Sequence, residues 1–251
     1  MDDRPLSETC CPDEPTLWIQ PGRATYLGPA LDLDPHAGAV HCLALGIDAP
    51  FELRAADIGT QRLRSAFIPA RAHHHLIATT GRMLFTYSDT DEPKTRMEVR
   101  TKTIAYHHRD EETLIQTVHT TGAPVPHPRP NRAPDPRIQT AMRTLQANPN
   151  LSAPQLAAQL HLSPTHFQHL FTANAGTTFR RYRLWTRMTH VATALTTGAN
   201  LTRASADAGF ASPNHFSETF HKMFGLTAKT LLTTNPTIIT PNTPHSARTR
   251  R

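Results

Sequence analysis

Cysteine is scarce: three in 251 residues, with Cys10 and Cys11 adjacent and Cys42 alone. An odd count in that arrangement is no disulfide framework and points to a reducing compartment. No uninterrupted apolar run approaches the roughly 20 residues of a membrane span. The N-terminus, MDDRPLSETCCPDEP, is acidic where a secretory signal would be basic and then apolar. These absences predict a cytoplasmic protein without a membrane partner. A further scarcity is local. From Asn131 to Arg251 the acids are Asp135, Asp207 and Glu218, against 13 Lys and Arg. From Met1 to Pro130 the balance reverses, with 13 Lys and Arg against 17 Asp and Glu. The formal net charge of +6 thus averages a half at −4 with a half at +10. A half so poor in acid sits in a positive field, and double-stranded DNA is a common partner for such a field.

The change of charge coincides with a change of texture. Gly122–Pro136 (GAPVPHPRPNRAPDP) carries six prolines and no apolar periodicity, the composition of an extended, semi-rigid connector. Before it, Val40–Gly46, Phe51–Leu53, Arg62–Ile68 and His75–Tyr87 are short, partly alternating apolar segments separated by turn residues, the rhythm of a small antiparallel barrel or sandwich. A short helix over Glu111–His119 is expected, with Asp110 as its cap. After the connector the pattern is helical. Asp135-Pro136 supplies a cap and a proline for the first turn, and Ser152 with Gln155 fits a capping box. The stretch from Asn235 to Arg251 reads as a disordered tail.

Within the helical half the chain repeats itself. Ser163-Pro164-Thr165-His166-Phe167 recurs as Ser212-Pro213-Asn214-His215-Phe216. In both copies serine caps, proline takes the first turn, and Phe167/Leu170/Phe171 or Phe216/Phe220/Phe224 fall on one face. Each copy follows a short helix rich in small residues, Pro154–Leu160 or Leu201–Ala208, and a tight turn at His161-Leu162 or Gly209-Phe210-Ala211. Short helix, turn and capped second helix is the helix-turn-helix plan. Between the copies Thr177–Thr197 is helical. Some 20 residues at 1.5 Å each give roughly 30 Å, near the length of one DNA turn.

The span from Asp135 to Leu232 resembles the DNA-binding domain of AraC/XylS-family transcription regulators. The resemblance rests on Leu162-Ser163-Pro164, His166-Phe167, Leu170-Phe171, Gly176-Thr177-Thr178-Phe179, Tyr182, Arg187, Ala208-Gly209-Phe210, His215-Phe216, Phe220 and Phe224-Gly225. It implies two helix-turn-helix units, about 154–174 and 201–224, joined by a helix over about 177–197, in a domain spanning 135–234. Thr165, Gln168 and His169 on the first recognition helix, and Pro213, Asn214, His215, Ser217 and Glu218 on the second, then face the bases. Gln can pair bidentately with adenine and Glu can accept from cytosine. Arginine is common in the family at His169 and Glu218, so neither position carries the usual guanine reader here. Backbone phosphates fall to Ser163, Thr177, Thr178, Arg180, Arg181, Ser212 and Lys222. Arg187 is expected to pack internally, and His161, where the family has glycine, to hold a positive φ.

Residues 1–121 resemble, more loosely, the degenerate cupin-like sensor domains that precede such DNA-binding domains, through His36–His41 and Phe67–His73. A mainly-β domain with a short helix, binding a small-molecule effector near His36, His41, His73 and His75, is the expectation. Strand alternation leaves at most His73 and His75 of the His73-His74-His75 run on one face. The glycine expected near Arg71 and a carboxylate ligand are both missing, so neither metal nor cofactor is expected. The whole reads as an effector-responsive transcription regulator and not an enzyme, a homodimer with RNA polymerase as a candidate partner. The alternative is a cupin-type metalloenzyme with a DNA-binding appendage.

Overall fold

The computed structural model describes residues 14–31, 33–89, 103–124 and 134–241. Cys10, Cys11 and most of the Pro-rich connector lie outside them.

The N-terminal half is β-rich. Its strands are β1 (Thr16–Gln20), β2 (Arg23–Pro29), β3 (His41–Gly46), β4 (Phe51–Ala55), β5 (Gly59–Leu63), β6 (Ser65–Ile68), β7 (His74–Ile77), β8 (Arg82–Ser88) and β9 (Ala105–Tyr106), followed by α1 (Glu111–Thr121). The C-terminal half is α2 (Pro136–Ala147), α3 (Ala153–Gln159), α4 (Pro164–Ala175), α5 (Phe179–Thr196), α6 (Leu201–Asp207), α7 (Pro213–Phe224), α8 (Ala228–Thr233) and a last strand, β10 (Thr237–Ile239). A seven-stranded sheet runs β10-β1-β2-β8-β3-β6-β9, and a three-stranded sheet runs β5-β4-β7. Every pairing is antiparallel except β1 with β10, where Thr16 faces Thr237.

Period-two alternation explains how the large sheet is covered on both sides. Tyr26, Ala44 and Phe85 point into a core shared with Phe51, Leu53 and Leu76 of the small sheet. Their neighbours Leu27, Leu45 and Leu84 point the other way, where Val118, Leu114 and Ile115 of α1 cover them. The segment expected as one strand over Arg62–Ile68 breaks at Arg64. Its guanidinium donates to the carbonyls of Gly46 (2.8 Å) and Ile47 (2.7 Å), fixing the corner where the chain leaves one sheet for the other. Asp110 precedes α1 as expected but makes no side-chain cap; instead its amide donates to Nδ1 of His108.

Two expectations about the C-terminal half need correction. The stretch after Asn235 is not wholly tail, because Thr237–Ile239 pairs with β1; residues 242–251 lie outside the described ones. The apolar core also ignores the boundary at the connector. One cluster, built on Phe167, Phe171, Phe179 and Tyr182 with Ile138, Leu145 and Leu156, belongs to α2, α3, α4 and the start of α5. The rest of α5 and all of α6 and α7 share the core of the β-sheets: Trp185, Met188, Phe216, Met223 and Phe224 lie in one cluster with Tyr26, Phe85 and Tyr87. The ring of Tyr87 meets that of Phe224 edge-on at 5.0 Å, and its hydroxyl donates to the Phe224 carbonyl (3.3 Å).

Candidate nucleic-acid interface

Both recognition helices begin as the repeat requires. Ser163 accepts a hydrogen bond from the His166 amide and Ser212 from the His215 amide, with proline in each first turn. The capping box of α3 is complete between Ser152 and Gln155, and Asp135 caps α2 by accepting from the Arg137 amide. Each cap satisfies a backbone donor that the helix cannot. Both recognition helices end on a left-handed glycine, Gly176 or Gly225. The two turns differ. The second uses Gly209 at φ +85°, whereas the first holds His161 at φ +54°, the positive value its sequence position suggested.

With Phe167 and Phe171 at 0 % exposure, the opposite face of α4 is set by helical period. Thr165, Gln168 and His169 all lie exposed, and Thr172 extends the same row by one turn. On α7, Phe216, Phe220, Met223 and Phe224 are buried, leaving Pro213, Asn214, His215, Ser217 and Glu218 exposed. Among the described residues, the side chains of Thr165, Gln168, His169, Asn214 and Glu218 make no internal hydrogen bond. His215 differs: its Nδ1 accepts from the Ala211 amide (3.3 Å) and its ring packs edge-on against Phe210, so it braces its own turn. Ser217 donates to the Pro213 carbonyl (3.0 Å). The helix joining the units, α5, has 18 residues, hence about 27 Å of axis.

The expected phosphate contacts separate into two groups. Ser163, Thr178, Arg180, Ser212 and Lys222 are exposed. Thr177 and Arg181 are engaged by the N-terminal half: both bind the carboxylate of Asp89, the hydroxyl of Thr177 at 3.0 Å and Nε of Arg181 at 2.9 Å. Sequence reasoning gave Asp89 no role, since nothing local marks a residue at a strand end as the partner of one 92 positions away. The acids of the basic half are partly neutralised in place. The Arg137 guanidinium beside Asp135 pulls that carboxyl down to about 2, and Asp207 pairs with Arg203 across one helical turn. Arg187 packs internally, as expected, against the Pro149 carbonyl and the Asn150 side chain, each at 3.4 Å.

The four histidines expected near an effector, His36, His41, His73 and His75, do not converge. His41 accepts the Ala70 amide and stacks on Phe67, His73 is exposed, and His75 is half-buried. His74 is the member of the run that turns inward, together with Leu76, and its ring lies 4.4 Å from that of His36. The signal was present: Leu76 must be buried, and a period of two puts His74 beside it. Burial depresses both imidazoles, His74 to about 4. Among the described residues no three His, Cys, Asp or Glu side chains are arranged to hold a metal ion. His36, Cys42, His74, Tyr87 and Met223 line a cavity of about 10 Å³, room for a single water. Arg71, near which a glycine was expected, takes φ +69°.

Residues 156–234 match a protein family described as a helix-turn-helix domain. No curated protein matches the chain. Among solved structures, ToxT from Vibrio cholerae is similar over 85% of this chain and 98% of its own, at 9% identity and a TM-score of 0.47. The C-terminal domain of AraT, a response regulator from Geobacillus stearothermophilus, is similar at 21% identity over 44% of this chain and 93% of its own, TM-score 0.37. The C-terminal domain of the two-component response regulator yesN from Fusobacterium nucleatum gives 27% identity, 37% and 90% coverage, and a TM-score of 0.33. Two capped recognition helices on a shared connecting helix, in the residues the family covers, make this part of the chain a helix-turn-helix domain.

Proposed function

We propose that the protein is a sequence-specific, DNA-binding transcription regulator whose N-terminal domain responds to a small-molecule effector. The observation that carries the reading is the pair of outer faces, Thr165/Gln168/His169 on α4 and Asn214/Glu218 on α7. They are exposed and unengaged on helices whose opposite faces are buried. Gln168 and Asn214 have the donor-and-acceptor amide that matches the adenine edge in the major groove. Ser163, Thr178, Arg180, Ser212 and Lys222 supply phosphate contacts that fix register without reading sequence.

The effector reading rests on the cavity between the β-sheets and Met223 of α7. The cavity has room for one water, so on this reading an effector enters only by displacing Met223, which couples its binding to the position of the recognition helix. A two-fold homodimer acting in the cytoplasm, with half-sites one helical turn or a multiple apart and RNA polymerase alongside, completes the proposal.

Selection of bound sites from random duplexes tests it. Gln168→Ala and Asn214→Ala should each relax discrimination at one base position and cost about 1–3 kcal/mol on the selected site. Equal weakening on every sequence would show that neither side chain reads a base.

A further inference from the structure

Asp89 directly follows β8 in the acidic half, yet its carboxylate is bound by the basic half. Nε of Arg181 donates to both carboxylate oxygens (2.9 and 3.0 Å), Nη2 donates to one of them (2.5 Å), and the Thr177 hydroxyl donates to the other (3.0 Å). Nη2 of Arg181 also donates to the Ala39 carbonyl (2.7 Å). The Asp89 side chain is 8 % exposed and that of Arg181 30 %. This is an assembled anion site: a guanidinium fork, a hydroxyl and the first turn of the 18-residue α5, whose terminus carries about half a positive charge. A carboxylate and a phosphate offer the same pair of oxygens to such a fork.

We infer that Asp89 is a built-in stand-in for a DNA phosphate, occupying the anion site of Arg181 and Thr177 that the sugar-phosphate backbone must otherwise fill. The inference rests on the DNA-binding reading above. Arg180, the adjacent residue, is exposed, so the start of α5 already presents one cation to solvent. DNA and the N-terminal domain therefore compete for Arg181. Any effector that loosens the contact between the halves releases a phosphate ligand without touching a base-reading residue. The same contact region is held by the Ala39 amide donating to the Lys222 carbonyl (2.8 Å), so what moves Asp89 away from Arg181 also acts on α7.

The test compares full-length wild type, Asp89→Asn, and Asp89→Asn with Arg181→Gln, each titrated with the same duplex over a range of salt. Asp89→Asn should bind about three- to tenfold more tightly, with a log–log salt slope steeper by about one phosphate contact. The added Arg181→Gln should abolish both gains. Unchanged or weaker binding by Asp89→Asn, with an unchanged slope, overturns the proposal, as does a gain that survives Arg181→Gln. A second measurement needs no variant. In the wild type, saturating duplex should speed amide exchange over residues 86–89 and 38–40, and full protection there in the DNA complex refutes the competition. Binding by the wild type that ignores Asp89 removes only the stand-in, whereas failure of wild type and Asp89→Asn alike to bind any duplex removes the DNA-binding reading with it.

Discussion

His161 sits at φ +54° in the turn between α3 and α4, a region where a side chain costs roughly 1 kcal/mol and a β-branched one more. His161→Val should therefore lower stability by about 1–2 kcal/mol in urea melts, while His161→Gly should be neutral or stabilising. That strain was legible because turn residues act locally. His74 was misjudged because the three histidines were compared only with one another, while the residue that chooses the buried face of β7 is Leu76, two positions on. The burial of His74 carries a pH dependence. An unfolded histidine takes up a proton near pH 6.5, whereas folded His74 does so only near 4, because burial penalises the imidazolium. The unfolded chain thus binds more protons between those values. Stability is full above about pH 6.5 and falls as pH drops toward 4, by on the order of 3 kcal/mol. His36, depressed for the same reason, acts in the same direction. Melting temperatures across that window should show the loss, and His74→Gln should flatten it; a profile identical to wild type would remove the assignment.

At the scale of single elements, the caps do most to set the helices in place. Ser163 and Ser212 each satisfy an N-terminal amide of a recognition helix, so Ser163→Ala and Ser212→Ala should each cost about 1 kcal/mol in chemical melts. Both should also weaken DNA binding on every sequence, since a cap near a phosphate positions but does not read. These features were readable because each is a pattern of three or four neighbouring residues. So were α2, α3 and the aromatic stripe of α4. By contrast, β1 and β2 were missed because β2 is covered on both faces and so shows no polar-apolar alternation, and β10 because Thr237–Ile239 is too short to show any period. Gly225 illustrates contact that sequence cannot reveal. A Cβ there would lie 2.0 Å from Nε2 of His36, on top of a φ of +77°. Gly225→Ala is expected to lower the melting temperature more than Gly198→Ala, whose added Cβ meets nothing within 4 Å at a similar φ.

For the molecule as a whole, the Pro-rich connector suggested two independent domains, but the apolar cluster from Phe85 and Tyr87 to Trp185 and Phe224 spans both halves. Burial of this kind couples what it joins, so calorimetry should give one main unfolding transition that includes the β-sheets, α5 and α7. The α2–α4 unit has its own core and is the part able to loosen separately. Two well-separated transitions, with the sheets melting apart from α7, would contradict the shared core. The parallel pairing of β1 with β10 carries a consequence for biosynthesis. Thr16 emerges from the ribosome about 220 residues before its partner Thr237, so during most of translation the border of the large sheet has open amides and carbonyls. A nascent chain arrested before Thr237 should engage strand-capturing chaperones, and one released after Ile239 should not.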